Sequence, residues 1–144
     1  MFEELTAYLP QLQVSSFGKW HIDRKNDGSS EHPFQFPYVD YEDFVTEFMK
    51  SAYSFVDQHK EMRLNHYYEI LNHVDIEWGS ESMRQADVSV LDGQTVMALI
   101  IGVMREERFS EGALMTYLQD GSIEKWLTRL QEIDNGAPGM VHNS

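Results

Sequence analysis

The amino-acid sequence predicts a mainly α-helical, single-domain bundle with a small β-hairpin or extended ribbon near the N-terminus. Apolar residues recur at the three- and four-residue spacing of helices from residue 40 almost to residue 134. The stretch 17–38 instead alternates apolar and polar residues around turn formers. The 144 residues are 42% hydrophobic, enough for one core. We therefore expect a globular domain over 1–134 and a flexible tail over 135–144.

The N-terminal third combines a short helix with the predicted hairpin. The apolar residues of 2–13 have helical spacing, although the proline within this segment should kink or shorten the helix. Asp27 and Gly28 form a turn signal between the two alternating arms of the ribbon. Pro33 and Pro37 restrict the second arm to an edge strand, because proline has no amide hydrogen to donate.

The next helices follow in order along the chain. Asp40 is placed to cap a helix with a continuous apolar face, and a second helix is expected over about 61–74. The Ser-x-x-Gln pattern at 82–85 is a capping box that should open a short helix. Ser89 or Asp92 then begins a central, strongly apolar helix.

The C-terminal helices are the clearest elements of the sequence. The central helix should run to about Arg108, and Gly121 and Ser122 should separate the last two helices. The last helix carries an apolar stripe at helical spacing, formed by Ile123, Trp126, Leu127, Leu130 and Ile133.

Charge and composition exclude several classes of protein. The formal net charge is −13, from 24 acidic and 11 basic residues, and such a field repels nucleic acid and anionic membranes. Cysteine is absent, which excludes disulfides, thiolate metal sites and a cysteine nucleophile. The longest apolar run is too short to span a bilayer, and the acidic N-terminus does not resemble a signal peptide. We expect a cytoplasmic protein.

Two arginines, Arg105 and Arg108, follow the most apolar segment of the chain. In a structural interpretation they offset the negative end of the central helix, Ser110 caps the next helix, and Glu111 lies in its first turn. Arg108 and Glu111 would then pair across the corner. In a functional interpretation, two guanidiniums beside a helix N-terminus bind a carboxylate or a phosphate. Because charges at helix ends are common, the sequence favours the structural interpretation and leaves the other open.

The same segment carries a resemblance to a known family. The pattern Arg-x-x-Arg-Phe-x-Glu-Gly, followed by a helix ending near Leu-x-x-Leu, resembles a family of small bacterial proteins designated domain of unknown function 6508. The likeness extends from about Trp20 to Asp134 and includes the upstream stretch FPYVDYEDFVTEFMKSAYSFV. The matching positions are Arg105, Arg108, Phe109, Glu111, Gly112, Leu127 and Leu130. The resemblance implies no activity, so it indicates that the corner matters for folding or for function without separating the two.

Aromatic residues and histidines supply further candidate sites. Trp20, Tyr38 and Trp78, with Tyr41, are available to line a pocket for a flat ligand, although such residues pack in cores more often. His66, Glu69 and His73 would share one face of a continuous helix. Their spacing matches neither the di-iron nor the zincin motif, so a solvated face is the better interpretation. We predict no bound metal and no cofactor.

The motifs of common enzymes are missing from the sequence. It contains no Gly-x-Ser-x-Gly elbow, no Ser-x-x-Lys pair and no phosphate loop. We therefore expect a non-enzymatic module that binds a protein partner or a small anionic ligand, with a homodimer as one candidate state. One alternative is an enzyme acting on an anionic metabolite at Arg105, Arg108 and Glu111. Another is a nucleic-acid mimic, because residues 31–83 hold eleven acidic residues against Lys50, Lys60 and Arg63.

Overall fold

The computed structural model describes residues 1–13, 16–22 and 37–136. These residues form a mainly helical fold with a small two-stranded antiparallel hairpin, which confirms the predicted class. The regular elements are α1 (Glu3–Thr6), β1 (Gly18–His21), β2 (Tyr38–Tyr41), α2 (Asp43–Gln58), α3 (Tyr67–Asn72), α4 (Ser82–Gln85), α5 (Gly93–Phe109), α6 (Ala113–Gln119) and α7 (Ser122–Asp134). Short 3₁₀ helices occupy Leu9–Gln13, Lys60–Met62, Leu64–His66 and Val88–Val90.

Helix α5 is the centre of the core. Every residue from Thr95 to Met104 is buried, and α2, α3, α6 and α7 all contact this helix. Of the two predicted starts, Asp92 is the one observed. Its carboxylate caps the helix by accepting a 2.8 Å hydrogen bond from the Thr95 amide. A helix that is apolar on all sides is stable only when other elements surround it, which explains the position of α5.

The hairpin pairs Gly18 with Tyr41 and His21 with Tyr38. Its strands confirm the predicted ribbon, whereas the expected Asp27–Gly28 turn lies outside the described residues. The prediction that Asp40 caps the following helix is wrong. Asp40 belongs to β2, and α2 begins at Asp43 without a side-chain cap.

The predicted second helix over 61–74 is wrong in its extent. Arg63 has a left-handed backbone with φ 53°, so the chain forms two 3₁₀ helices before α3 begins at Tyr67. A side chain from another helix satisfies a backbone carbonyl that this break leaves free. The side-chain amide of Gln94 on α5 donates a 2.7 Å hydrogen bond to the Met62 carbonyl, which a continuous helix would use internally.

The predicted capping box at 82–85 does not form, although α4 does occupy these four residues. Ser82 lies inside the helix, and its hydroxyl accepts a hydrogen bond from the Glu77 amide instead of capping from the position before it. The amide of Ser82 donates to the Ser80 hydroxyl. The serines therefore stabilise the loop that leads into α4, and this loop carries Trp78.

The last helix has the predicted boundary and the predicted face. Gly121 precedes α7, and the five apolar residues of its stripe are all buried. The Asp134 carboxylate at its end accepts a 2.8 Å hydrogen bond from the Phe2 amide, which joins the N-terminal segment to α7. Of the predicted tail, only residues 135 and 136 are described. In the described ranges no helix combines the length and the apolar character needed to cross a membrane.

Candidate functional site

The corner between α5 and α6 is capped by a glutamate that precedes it. Ser110 ends α5 and does not cap α6, so that prediction is wrong. Helix α6 follows Gly112, which has φ 87° and no side chain to accept its first amides. The Glu107 carboxylate accepts them instead, at 3.2 Å from the Gly112 amide and 2.8 Å from the Leu114 amide.

The same carboxylate binds the hairpin to the corner. The Tyr41 hydroxyl donates a 2.8 Å hydrogen bond to Glu107 and accepts one of 3.1 Å from the Met115 amide. Burial raises the pKa of Tyr41, and the adjacent Glu107 carboxylate raises it further. Tyr41 is therefore protonated at neutral pH and can serve as the donor that Glu107 requires.

Glu111 also binds the hairpin. Its carboxylate accepts a 2.9 Å hydrogen bond from the Val39 amide. The Trp20 indole covers Gly112 so closely that an added Cβ would lie 2.3 Å from its ring. Tyr38 is beside this contact in the strand and stacks on His21 with ring centroids 4.9 Å apart. Trp20 and Glu111 therefore lie where the hairpin meets the corner, whereas Tyr38 is on the other face of the hairpin with His21.

Glu106 faces a different neighbour. It accepts a 3.3 Å hydrogen bond from the Tyr117 hydroxyl on α6. Burial and the Glu106 carboxylate raise the pKa of Tyr117 to about 12, although Arg84 opposes this rise with its guanidinium 3.9 Å from the ring centre. Sequence reasoning missed both structural roles of Glu106 and Glu107. The available signal was the glycine at the start of α6, which leaves the helix without a cap of its own.

The two arginines lie among aromatic rings from three other segments. The Arg108 guanidinium lies 5.8 Å from the centre of the Tyr53 ring on α2. Phe109 packs edge-on against Trp78 with ring centroids 6.4 Å apart, and Trp78 packs against Tyr67 of α3 with centroids 5.6 Å apart. Burial raises the pKa of Tyr67, and the positive charge of Arg105 opposes this rise. We name this set the aromatic–arginine face: Tyr53, Tyr67, Trp78, Arg105, Arg108 and Phe109.

Trp78 is held rigidly at this face. Its indole N–H donates a 2.8 Å hydrogen bond to the Gly102 carbonyl of α5. A Cβ at Gly102 would lie 3.1 Å from the indole ring, so glycine permits this close approach. The loop before α4 is thus fixed against the central helix, and the ring that contacts Phe109 has a defined position.

The two arginines of the face have no carboxylate partner in the described part of the chain. Neither Arg105 nor Arg108 forms an ion pair there, and the Nε of Arg105 is buried without a hydrogen bond. The predicted pairing of Arg108 with Glu111 is therefore wrong, because Glu111 turns to the hairpin. Phe109 is 81% exposed. In a chain with 24 acidic residues, no carboxylate of the described ranges pairs with either guanidinium beside this exposed ring.

The structure separates the six candidate site residues. Arg105, Arg108 and Trp78 belong to the aromatic–arginine face. Trp20 and Glu111 belong to the contact between the hairpin and the corner, and Tyr38 stacks on His21 within the hairpin. Arg105 and Arg108 project from α5, whereas Glu111 lies in the turn beyond its end and reaches a different neighbour.

The histidine cluster lies elsewhere, beside the broken segment before α3. His66 lies 3.7 Å from Glu69, and both side chains are exposed. They line a depression of about 370 Å³ that also contains His73 and Asp92. Over the described ranges, no three histidine, aspartate or glutamate side chains are arranged to hold a metal ion.

Comparison with known proteins places the chain in a family. Residues 1–136 match the model of the family of unknown function DUF6508, and the chain belongs to it. The match extends the likeness seen in the arginine motif to almost the whole chain. No curated protein matches significantly. No solved structure does so either.

Proposed function

We propose that this member of DUF6508 is a cytosolic, non-enzymatic binding module and that the aromatic–arginine face is its recognition surface. One observation carries the proposal: the exposed Phe109 ring packs against a fixed Trp78 beside two arginines that form no ion pair with any described residue. Aromatic residues and arginine are the residue types that dominate the binding energy of protein interfaces. Contiguous apolar surface rimmed by polar residues is typical of interaction sites.

The state of Arg105 supports the same proposal. A buried guanidinium nitrogen without a hydrogen bond reduces stability, because burial removes its water without replacing it. A carboxylate bound at the face can pair with the terminal nitrogens of this guanidinium through charge-assisted hydrogen bonds and compensate for that loss.

The acidic residues of the corner support binding over catalysis. Glu106, Glu107 and Glu111 each accept hydrogen bonds that hold the fold together. Among the described residues, each of these three carboxylates turns away from Arg105 and Arg108 to another partner. A face with cations and aromatic rings can hold and orient a ligand without supplying a proton.

The test compares two exposed apolar side chains. The tagged full-length chain, the Phe109→Ser variant and the Val90→Ser variant are each used to capture proteins and small molecules from lysate of the source organism. Val90 is 73% exposed and precedes α5, whose length from Gly93 to Phe109 is about 24 Å at 1.5 Å per residue. It is the matched control for removing an exposed apolar group.

We expect mass spectrometry to find a species retained by the wild type and by Val90→Ser but lost with Phe109→Ser. The two variants should keep the wild-type melting temperature, since both side chains are exposed. The proposal is rejected when every captured species is retained equally by all three proteins. Sedimentation of the purified chain alone shows whether it self-associates, which distinguishes a second copy of this chain from a different partner.

A further inference from the structure

Resting on the proposed function, we infer that the occupant of the aromatic–arginine face is an acidic peptide segment with an apolar anchor residue, presented by another protein. The charges of the face specify the acidic part of this segment. The exposed ring of Phe109 specifies the apolar part. The exposure of that ring to one side favours a peptide over a small molecule.

The spacing of the two arginines fits two separate carboxylates. Arg105 and Arg108 are three residues apart on α5, so their Cβ atoms lie about 5–6 Å apart. Side chains one helical turn apart, or two residues apart in an extended peptide, have nearly the same separation. Each guanidinium can therefore receive its own carboxylate, with the planar two-bond geometry that arginine favours.

The apolar anchor is supplied by the geometry around Phe109. Trp78 packs edge-on against the Phe109 ring with centroids 6.4 Å apart, while Phe109 is 81% exposed. An aliphatic or aromatic side chain of the peptide can cover both rings at once. Small-molecule sites surround most of the ligand surface, whereas an exposed ring on the surface offers contact from one side, which suits a peptide laid across it.

The net charge of −13 limits the length of the acidic segment. A long polyanion such as nucleic acid would extend beyond the two arginines and meet the acidic remainder of the surface. At physiological ionic strength, charges separated by more than about 8 Å are largely screened. A short segment with two or three carboxylates therefore gains its local contacts without a large repulsion.

The experiment is a selection from a random 12-residue peptide library displayed on phage against the full-length protein, with counter-selection against Phe109→Ser. Selected peptides are synthesised, and their affinities are measured by fluorescence anisotropy. We expect the enriched peptides to contain at least two acidic residues and one leucine or aromatic residue. Phe109→Ser should weaken binding at least about ten-fold. Arg108→Gln should weaken it about two- to five-fold, the range of an exposed ion pair. Lys60→Gln, which removes an exposed cation elsewhere, should change it little.

A double-mutant cycle tests the contact itself. Arg108→Gln in the protein is combined with replacement of each peptide carboxylate by its amide. We expect the two losses to be less than additive for one carboxylate, which shows direct pairing. Enrichment of neutral or basic peptides, failure to enrich any peptide, or additive losses at every carboxylate would each overturn the inference. The proposed function still stands in those cases when the capture experiment shows a partner that depends on Phe109.

Discussion

Replacing Gly112 by alanine should release the hairpin from the α5–α6 corner. Gly112 has φ 87°, and the Cβ of alanine would lie 2.3 Å from Cζ2 of Trp20. Gly121 provides a closely matched control. It also precedes a helix, with φ 84° and the same ψ of 3°, but no atom lies within 4 Å of its Cβ position.

The expected difference follows from these two environments. The left-handed backbone costs alanine roughly 1–2 kcal/mol at either site. At Gly112 the indole must also move. Trp20 is 43% exposed, so an aromatic side chain of this kind keeps about 100 Å² of its surface covered. Losing this contact costs up to about 2.5 kcal/mol at 25 cal/mol per Å². We therefore expect Gly112→Ala to be more destabilising than Gly121→Ala by about 1–2.5 kcal/mol.

Urea unfolding followed by circular dichroism measures this difference. With an m-value of about 2 kcal/mol per M, an additional loss of about 2 kcal/mol lowers the midpoint by about 1 M. The indole N–H resonance of Trp20 should shift in Gly112→Ala and remain in place in Gly121→Ala. Equal losses of stability in the two variants, with an unchanged Trp20 resonance, would refute the packing of the hairpin on the corner.

Four further outcomes test the site and the charge of the chain. Glu107→Gln should lower the free energy of unfolding by about 1–3 kcal/mol, because one amide at the start of α6 loses its charged acceptor. The control variant Glu106→Gln should lower it by less than about 1 kcal/mol. Equal losses for the two variants in urea melts would contradict the role of Glu107. Arg105→Met should leave stability unchanged or raise it by up to about 1 kcal/mol, since it removes a buried nitrogen without a partner, and a large loss in the same melts would reveal a structural role. Moderate sodium chloride should raise the melting temperature by screening the repulsion of a −13 chain; a scanning calorimeter that records no rise would show that the carboxylates are already compensated locally. Elemental analysis of the purified protein should find no stoichiometric zinc, iron or nickel, because the histidines match no ligand motif.

The position of the arginines along the chain was readable from the sequence, but their neighbours were not. Arg105 and Arg108 follow the apolar segment that forms α5, and both lie near its C-terminal end as predicted. The predicted partner of Arg108 was Glu111, the nearest acid in the following turn. In the folded protein, the hairpin amide of Val39 takes that carboxylate. Sequence separation cannot reveal a competitor 72 residues away.

Helix boundaries were predictable where local chemistry decides them. Asp92 begins α5 with its own side chain, and the stripe of α7 is buried as its spacing predicts. Both features depend on residues within one or two helical turns. The break at Arg63 was not predictable, because the group that satisfies it, Gln94, lies on another helix.

The sequence by itself determined the helical class, the central position of α5 and the presence of two arginines directly after its apolar segment. Hydrophobic periodicity records which face of a helix is apolar, and composition records net charge. Only the tertiary structure decided that Trp78 joins the arginines, that Trp20 lies at the corner with Glu111 and that Tyr38 stacks on His21. The physical reason is that polar and aromatic side chains take their partners from whichever segments pack beside them, and that choice depends on the arrangement of the whole core.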